Sequence, residues 1–544
     1  MKLIKRALVS VYDKSGIVDF VRQLVDDFHI EILSTGGTAR TLEKAGIPYT
    51  KVSDFTKSPE MFDGRVKTLH PRIHCGLLMR RDNPKDVADA EKYGILPIDM
   101  VVCNLYPFKD VISKAETDLN TALEMIDIGG PTQIRAAAKS FRDVVVISNP
   151  TKYNEIINLM HENNGDIPLK TRWQLAQEIF TTTSLYDATI ANYLAKEISS
   201  LENKEVDSDL KDFPDLLVKL YRKVQKCRYG ENWEQRGYLY EDSDKILGLS
   251  DLKKLHGKAI SFNNWLDIDS CMQVLLDFNQ DHADHHICAI FKHTTPNGVA
   301  IDYNSQLEAT KHAFSTDPLS AFGGIWGFNH RLTTEVARYI IEEKNVFVEV
   351  LLAPSFEKEA LEILQTKANM RIVAFNDFLE HRKDIYCHPE IRSVLGGVLV
   401  QDYDWKPIVK NWEVKTERPI SPREKEALIF AYRVSKWAKS NSAVFAKEYE
   451  TGVYTLGIGA GQQSRVHVVR LAAEKAREFG HNLHDSVMGT DSFFPFPDGL
   501  EETVKAGAKA ILNPGGSIRD DAVVQKANEL NISLVFCGKR VFRH

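Results

Sequence analysis

The N-terminal segment contains the pattern that most constrains the fold, which is an alternation of strand, helix, strand and glycine loop. Residues 7–11 form an apolar run typical of a strand, and residues 30–33 form a second one. One helical face between them carries Ile17, Val18, Val21, Leu24, Val25 and Phe28. Because parallel strands need a crossover connection, this βαβα beginning predicts an α/β fold with a parallel sheet.

The second of these strands runs into the loop Ser-Thr-Gly-Gly-Thr at residues 34–38, before a short helix. Hydroxyl groups and glycine amides at a helix N-terminus suit a phosphate group. Glycines at a strand-to-helix connection can also serve only to make the turn. The sequence leaves both interpretations open.

A second informative stretch covers residues 287–298. Residues 287–291 are apolar and predict a buried strand, while Thr-Pro-Asn-Gly at 295–298 predicts a turn. Lys292 and His293 lie between them, where ligands bind in open α/β sheets. An ammonium group favours the neutral form of a neighbouring imidazole, as a general base requires. The alternative is that the two residues are solvent-exposed side chains at a strand end and have no catalytic role.

The length of the chain fits a protein of two or three domains. Its net charge gives no overall positive potential that would attract nucleic acid or a membrane surface. The chain has 544 residues, of which 43% are hydrophobic and 26% charged, and its net charge is -6. The seven cysteines are odd in number and widely spaced, which predicts reduced thiols. With no apolar segment of membrane-spanning length, we expect a cytoplasmic protein. The charge-rich segment 202–212 predicts a boundary between domains 1–200 and 201–544.

Two motifs suggest chemistry that the sequence does not support. Residues 457–461 carry three glycines, but the third comes one residue too early for a dinucleotide fingerprint. His282 and His286 are four apart, yet they lack the intervening glutamate of a zinc helix and precede a strand. We therefore predict no metal site, with a zinc hydrolase kept as an alternative.

Eleven short motifs follow one another in an order that resembles one enzyme family. They are residues 10–16, 34–39, 64–71, 104–108, 126–131, 135–139, 291–293, 320–324, 458–465, 491–496 and 542–544. The chain resembles, over nearly its whole length, the bifunctional purine-biosynthesis enzymes that join a phosphoribosylaminoimidazolecarboxamide formyltransferase to an inosine monophosphate (IMP) cyclohydrolase. The resemblance implies formyl transfer from 10-formyltetrahydrofolate to 5-aminoimidazole-4-carboxamide ribotide, followed by cyclodehydration to IMP.

For the first domain, the resemblance implies a methylglyoxal-synthase-like parallel-sheet fold that carries the cyclohydrolase. Ring closure would involve Lys67, Tyr106, Asp127 and Lys139. The nucleotide would contact Tyr12, Asp13, Lys14, Thr35, Gly36, Gly37, Thr38, Arg65, Val66, Thr68, Cys103, Asn104 and Ile128. Cationic and hydroxyl donors stabilise the oxygen that gains charge, while a carboxylate handles the proton.

For the second domain, the resemblance implies a transformylase of two cytidine-deaminase-like α/β subdomains without zinc. Lys292, His293 and Asn441 would be catalytic, with His293 as the base. The ribotide would contact Arg228, Tyr229, Gly323, Arg465 and Arg540, and the folate would contact Phe322, Val466, Phe493, Asp498, Ser517 and Ile518. The family is homodimeric with shared transformylase sites, uses the folate as a co-substrate, and has no tightly bound cofactor beyond a possible structural monovalent cation.

Two positions depart from the family pattern. The family continues Arg-Tyr-Gly-x-Asn with Pro-His-Gln, whereas this chain has Trp-Glu-Gln at 233–235. An acidic residue expected after Phe328 aligns with Thr333. These departures support a rival hypothesis, a nucleotide-binding protein that has lost turnover, but the Lys292–His293 pair is intact.

Overall fold

A computed structural model describes residues 3–114, 116–202, 213, 216–243, 245–386, 389–404, 408–409 and 411–544. The chain divides into two compact units, Met1–Leu220 and Tyr221–His544. Most of the charge-rich segment predicted as a domain boundary, residues 203–212, lies outside the described residues, as does Cys387. None of the helices in the described parts of the chain combines the length with the apolar composition of a membrane-spanning segment.

The first unit contains a five-stranded sheet in which every pairing is parallel, in the order β3-β2-β1-β4-β5. Its strands are β1 (Arg6–Val9), β2 (Glu31–Ser34), β3 (Thr50–Lys51), β4 (Met100–Val102) and β5 (Val145–Ile147). The predicted parallel sheet is thus confirmed, with strand ends one or two residues from those expected.

Helices cover both faces of this sheet. They are α1 (Ile17–Asp26), α2 (Gly36–Lys44), α3 (Val52–Thr56), α4 (Pro71–Leu78), α5 (Pro84–Tyr93), α6 (Phe108–Ile112), α7 (Leu119–Glu124), α8 (Gly129–Lys139), α9 (Tyr153–Glu162) and α10 (Leu169–Glu202). Successive strand residues belong to opposite cores: Ala7 and Val9 pack in the core of α1 and α9, and Leu8 packs in that of α4 and α8. Burial on both faces explains why the strands are continuous apolar runs.

The second unit is built on a mixed sheet of twelve strands, in the order β16-β21-β20-β19-β17-β18-β10-β9-β11-β12-β13-β8. The strands are β6 (Tyr221–Lys226), β7 (Tyr238–Asp242), β8 (Lys253–His256), β9 (His286–Lys292), β10 (Thr295–Asp302), β11 (Gly324–Phe328), β12 (Val348–Ala353), β13 (Arg371–Ala374), β14 (Glu390–Val394), β15 (Gly397–Gln401), β16 (Glu413–Val414), β17 (Ala443–Tyr449), β18 (Gly452–Gly459), β19 (Ser486–Thr490), β20 (Ala508–Asn513) and β21 (Ser533–Phe536). Two separate hairpins, β6–β7 and β14–β15, complete the strands.

The helices of the second unit flank the large sheet. They are α11 (Phe262–His282), α12 (Gln306–Ser315), α13 (Pro318–Ala321), α14 (Thr334–Glu342), α15 (Lys358–Gln365), α16 (Arg382–Ile385), α17 (Pro422–Trp437), α18 (Arg465–Glu478), α19 (Asp498–Ala506) and α20 (Asp520–Glu529). Thr333, one of the two departures from the family pattern, caps α14 by accepting the Val336 N–H at 3.4 Å.

The large sheet consists of two halves with the same connectivity. Each half runs long helix, antiparallel hairpin, helix and then three parallel strands, and the halves meet where β10 pairs with β18. Gly327 and Gly489 occupy equivalent strand positions, and a Cβ on either would lie within 2.5 Å of the long helix of its half. The two subdomains implied by the family resemblance correspond to these halves.

Two candidate active sites

The candidate site of the first unit lies at the carboxyl ends of β1 and β4. The chain passes from β1 to β2 and β3 on one side and then to β4 and β5 on the other, so β1 and β4 flank the topological switch point. Asn104, after β4, accepts the N–H groups of Tyr12 at 2.6 Å and Asp13 at 3.0 Å and donates to the Asp13 carbonyl at 2.9 Å. Ligands of open α/β sheets bind in the crevice at such a point.

Two lysines stand at the N-terminus of α2, beside this crevice. The Lys67 Nζ lies 3.3 Å from the position that a Cβ on Gly36 would occupy, and the Lys14 Nζ lies 3.6 Å from that on Gly37. Thr35 precedes the helix, and its hydroxyl donates to the Glu60 carboxylate. The helix N–H groups together with two ammonium groups favour an anion. This geometry supports the phosphate interpretation of the glycine loop.

Asp127 is held immediately before α8. Its carboxylate accepts the Gly130 N–H at 2.8 Å, and its own N–H donates to the Tyr186 hydroxyl at 2.7 Å. Burial raises the pKa of Asp127, while the N–H groups of Gly130 and Tyr106 and the charge of Lys67 act in the opposite direction. A partly buried carboxyl beside an ammonium group is suited to proton transfer.

Tyr106 and Cys103 complete the polar part of this site. Burial and the neighbouring Asp127 carboxylate raise the pKa of Tyr106, so its hydroxyl remains a hydrogen-bond donor at neutral pH. Burial raises the pKa of Cys103 to about 12, and its Sγ accepts from Gln133 Nε2 at 2.9 Å. The thiol is therefore protonated at neutral pH and is not a nucleophile.

The structure does not bring Lys139 to the other three residues predicted to close the ring. Lys139 is exposed at the last position of α8, an eleven-residue helix whose first turn adjoins Asp127. At 1.5 Å per residue, the helix separates the two ends by about 16 Å. Lys139 therefore cannot act beside Asp127 of the same chain.

The other nucleotide residues predicted in this unit surround the crevice. Thr68 is buried, and its Oγ1 lies 3.2 Å from the Cβ position of Gly129, whereas Ile128 is 61% exposed. The Arg65 guanidinium pairs with Glu124, and both side chains are exposed. No sequence motif includes Glu60, Gln133 or Tyr186, whose side chains contact the site residues Thr35, Cys103 and Asp127.

The candidate site of the second unit begins at the hairpin between β9 and β10. Lys292 ends β9 and Thr295 begins β10, so His293 and Thr294 form the turn, with φ angles of +53° and +60°. The turn predicted at residues 295–298 is wrong, since these residues belong to β10. A register shift between Pro296 and Gly298 leaves Asn297 outside the pairing with β9, so a β-bulge accommodates the turn-forming residues.

Lys292 is fixed by the segment that precedes β11. Its Nζ donates to the Phe322 carbonyl at 2.7 Å, and the next residue, Gly323, has φ +73° and donates its N–H to the Phe347 carbonyl at 2.7 Å. The half-exposed Phe322 ring packs on the Phe347 ring, with 5.1 Å between ring centroids. The structure thus brings the predicted Lys292–His293 pair next to the predicted ligand residues Phe322 and Gly323.

Asn441 and Arg465 form a second cluster at the carboxyl end of β18. The guanidinium of Arg465 donates to Asn441 Oδ1 at 2.7 Å and to Asp491 Oδ1 at 3.1 Å. The Asn441 amide donates to the carbonyls of Gln462 at 2.8 Å and Gln463 at 3.1 Å. Because β10 and β18 are antiparallel neighbours, the amino end of β10 and the carboxyl end of β18 lie on the same side of the sheet, where the strands end. We call this side the sheet edge. The His293 turn and the Asn441–Arg465 cluster therefore lie at the same edge.

The C-terminal tail packs against the Asn441–Arg465 cluster. The Arg543 carbonyl accepts the Ser440 N–H at 2.8 Å, and the Val541 N–H donates to the Asp491 carbonyl at 3.2 Å. The guanidinium groups of Arg465 and Arg540 lie 5.8 and 4.5 Å from the centroid of the Phe542 ring. The tail thus packs on the Asn441–Arg465 cluster, and the contact of Arg540 with the ribotide stays a prediction.

Arg228 and Tyr229 lie in a compact loop that lines a cavity of about 580 Å³ with Asn263. The Gly230 N–H donates to the Gln235 carbonyl at 2.7 Å, and the Asn232 N–H donates to the Gln235 side chain at 2.9 Å. Gln235 therefore closes the loop in spite of the Trp-Glu substitution before it, and Trp233 is 83% exposed.

The remaining predicted folate residues lie in the segments that follow β18, β19 and β20, in the second half of the large sheet. Val466 lies in the first turn of α18, Phe493 follows β19, Asp498 begins α19, and Ser517 and the fully exposed Ile518 precede α20. These positions all follow the carboxyl ends of β18, β19 and β20, at the edge that carries Asn441 and Arg465.

The histidines considered for zinc lie where α11 ends at His282 and β9 begins at His286. His282 and His285 approach through their Nδ1 atoms at 3.3 Å, and His286 contacts His330 at 3.2 Å. Across the part of the chain that the structure describes, no group of three or more His, Cys, Asp or Glu side chains is placed to hold a metal ion.

In comparisons with known proteins, two family models match parts of the chain. The model of the MGS-like domain matches residues 16–132, and the model of the AICARFT/IMPCHase bienzyme matches residues 137–475, which is more than half of the chain. A solved structure described as the crystal structure of ForH aligns at 31% sequence identity, covering 34% of this chain and 95% of that chain, with a TM-score of 0.32.

Proposed function

Since the chain belongs to the AICARFT/IMPCHase bienzyme family, we propose that it catalyses two consecutive reactions of purine biosynthesis. In the second unit, a formyl group passes from 10-formyltetrahydrofolate to the amine of 5-aminoimidazole-4-carboxamide ribotide. In the first unit, the formylated ribotide loses water and closes to IMP. The enzyme works as a homodimer whose formyltransferase sites are shared between subunits, with the folate as co-substrate.

In formyl transfer, the ribotide amine is a weak nucleophile because its lone pair is delocalised into the imidazole ring. His293 removes the amine proton as nitrogen attacks the formyl carbon, and the Lys292 ammonium stabilises the oxygen that gains charge. The bond from the formyl carbon to the folate nitrogen then breaks, and that nitrogen takes up a proton. A positioned base contributes about 10²–10⁴ in rate.

The contacts of this unit support these roles. The hydrogen bond to the Phe322 carbonyl restricts the Lys292 ammonium to one place beside the turn. Arg465 and Asn441 orient each other through their 2.7 Å hydrogen bond, which holds a guanidinium cation at the same sheet edge. Fixed donors aimed at developing charge are the most effective form of electrostatic stabilisation.

In ring closure, the carboxamide nitrogen attacks the formyl carbon and gives up one proton. The formamide nitrogen then gives up its own proton as the bond from the formyl carbon to the formyl oxygen breaks, so a C=N bond forms and the oxygen leaves with two protons as water. Asp127 accepts the proton of the attacking amide. Lys67 and the Tyr106 hydroxyl donate to the departing oxygen. The raised pKa of Asp127 improves its strength as a base compared with an ordinary aspartate.

The observation that carries the proposal is the arrangement of the Lys292–His293 turn and the Asn441–Arg465 cluster on one sheet edge. The test incubates the purified protein with the ribotide and 10-formyltetrahydrofolate and separates the nucleotides by chromatography. The wild-type protein should form IMP, His293→Ala should leave the ribotide unchanged, and Asp127→Asn should accumulate the formylated ribotide.

A rival function is nucleotide binding without turnover, which the changes at Trp233 and Thr333 favour. Ligand binding measured by calorimetry, combined with the absence of both products, would support the rival and overturn the proposal. Formation of IMP at equal rates by the wild type and His293→Ala would reject the assigned base while leaving the overall reaction in place.

A further inference from the structure

The turn that carries His293 has an unusual backbone for its residues. Both His293 and Thr294 have positive φ angles, +53° and +60°, although neither is glycine. A two-residue hairpin with both residues in this region usually contains Asn, Asp or Gly, because other side chains are disfavoured there. Such a backbone persists only when neighbouring groups hold it in place.

The holding group comes from α11. The Asp267 carboxylate accepts the Thr294 N–H at 2.6 Å through Oδ1, and it also accepts the His293 N–H. Burial raises the pKa of Asp267, whereas these two N–H groups favour its charged form. One carboxylate thus receives both consecutive N–H groups of the turn.

The other half of the sheet provides an internal comparison. Ser261 caps α11 and Ser421 caps α17 with the same capping box, so counting from the caps places Ala427 at the position equivalent to Asp267. The hairpin between β17 and β18 turns through Glu450 and Thr451, neither of which has a positive φ. The same supersecondary unit therefore forms without the carboxylate and without the left-handed turn.

We infer that Asp267 is a positioning residue for formyl transfer, which holds the backbone of His293 so that the base stays at the sheet edge shared with Asn441 and Arg465. This inference rests on the proposed function of the second unit. The exposed His293 follows the backbone that Asp267 fixes. Loss of the carboxylate releases two N–H groups and lets the turn relax toward ordinary φ angles.

The test compares Asp267→Ala and Asp267→Asn with the wild type in the full-length protein. Misplacement of a catalytic group by about 1 Å can cost about 100-fold, so kcat of formyl transfer in Asp267→Ala should fall about 10- to 100-fold. KM for both substrates and the rate of cyclisation of supplied formylated ribotide should change little. Asp267→Asn keeps one acceptor oxygen and should retain an intermediate rate.

Two further variants separate positioning from general stability. In a His293→Ala background, Asp267→Ala should cause no further loss, because the carboxylate acts through His293. Glu450→Ala, at the turn of the equivalent hairpin, is the matched control and should keep the wild-type rate. An Asp267→Ala rate within twofold of the wild type, or an equal loss with and without His293, would overturn the inference.

Hydrogen exchange tests the same contact without any activity. In Asp267→Ala, a peptide spanning His293 and Thr294 should exchange at least tenfold faster, and peptides from the centre of β9 should be unchanged. Unchanged exchange at the turn refutes the role of Asp267. A wild-type protein that transfers no formyl group refutes the proposed function instead, and exchange then decides whether Asp267 fixes the turn.

Discussion

Gly130→Ala is the substitution whose effect on the rate of cyclisation follows most directly from the structure. A Cβ on Gly130 would lie 2.3 Å from Asp127 Oδ2 and 2.9 Å from the Leu105 side chain. Real Cβ atoms essentially never come closer than 3.0 Å to such a neighbour, so the carboxylate must retreat by at least 0.7 Å. Displacement of a catalytic group by about 1 Å can cost about 100-fold in rate. We therefore expect cyclisation to fall about 100-fold.

The same substitution should leave the fold intact. Gly130 lies in α8, where alanine is favoured over glycine by about 1 kcal/mol, and this gain offsets part of the local clash. Formyl transfer, which belongs to the other unit, should be unchanged. The assay follows IMP formation from supplied formylated ribotide, with the melting temperature measured in parallel.

A matched control is Gly397→Ala, because a Cβ there meets no atom within 4 Å. This variant should keep both activities. Gly129→Ala is an intermediate case, since its Cβ would lie 3.2 Å from Thr68 Oγ1 and requires only a few tenths of an ångström of adjustment. Cyclisation by Gly130→Ala at the wild-type rate would show that Asp127 does not need its observed position, and the reasoning would be refuted.

Three further outcomes are expected. Removal of residues 540–544 should abolish formyl transfer and spare cyclisation, because the Arg543 carbonyl holds the Ser440 N–H; unchanged transferase kinetics would show a dispensable tail. Lys139→Ala should form IMP at the parent rate, because Lys139 is exposed at the opposite end of α8 from Asp127; accumulation of formylated ribotide would contradict this. Burial raises the pKa of Glu448 from 4.5 to about 7, so its protonated form stabilises the fold at low pH and that contribution is lost as pH rises toward 7. Glu448→Gln should therefore raise the melting temperature at pH 8 and not at pH 4, and equal melting curves at both pH values would contradict this.

Local sequence patterns predicted the elements whose apolar runs are bounded by turn residues. The strands expected at 7–11, 30–33 and 287–291 are Arg6–Val9, Glu31–Ser34 and His286–Lys292. The turn expected at 295–298 was wrong because pairing with β9 overrides local turn preference. Local patterns did not show the repeat within the second unit, which only the family resemblance implied, since the repeat is a property of backbone connectivity and its helices share little beyond their serine caps.

The sequence predicted which residues belong to the candidate sites better than it predicted how those residues contact one another. Motifs identified Tyr12 and Asn104 separately, but their contact joins residues 92 positions apart. The expected grouping of Lys139 with Asp127 fails within one chain because α8 holds them at opposite ends. Asp267 could not be recognised from its neighbours, because a carboxylate on a helix has no local signal that it accepts N–H groups from a distant turn.

The order of strands in the two sheets also bears on how the protein behaves in concentrated solution. A row of unpaired N–H and C=O groups along an outer strand is a template for association with another chain. Here the outermost strands of the large sheet are β16, with two residues, and β8, which begins with the exposed Lys253 and Lys254. In the small sheet, one outer strand, β3, has two residues, the second of which is Lys51, and the other, β5, has three residues. Short outer strands and exposed lysines oppose edge-to-edge aggregation. The twelve-stranded sheet can therefore stay continuous within one molecule without pairing with a strand of a neighbouring molecule.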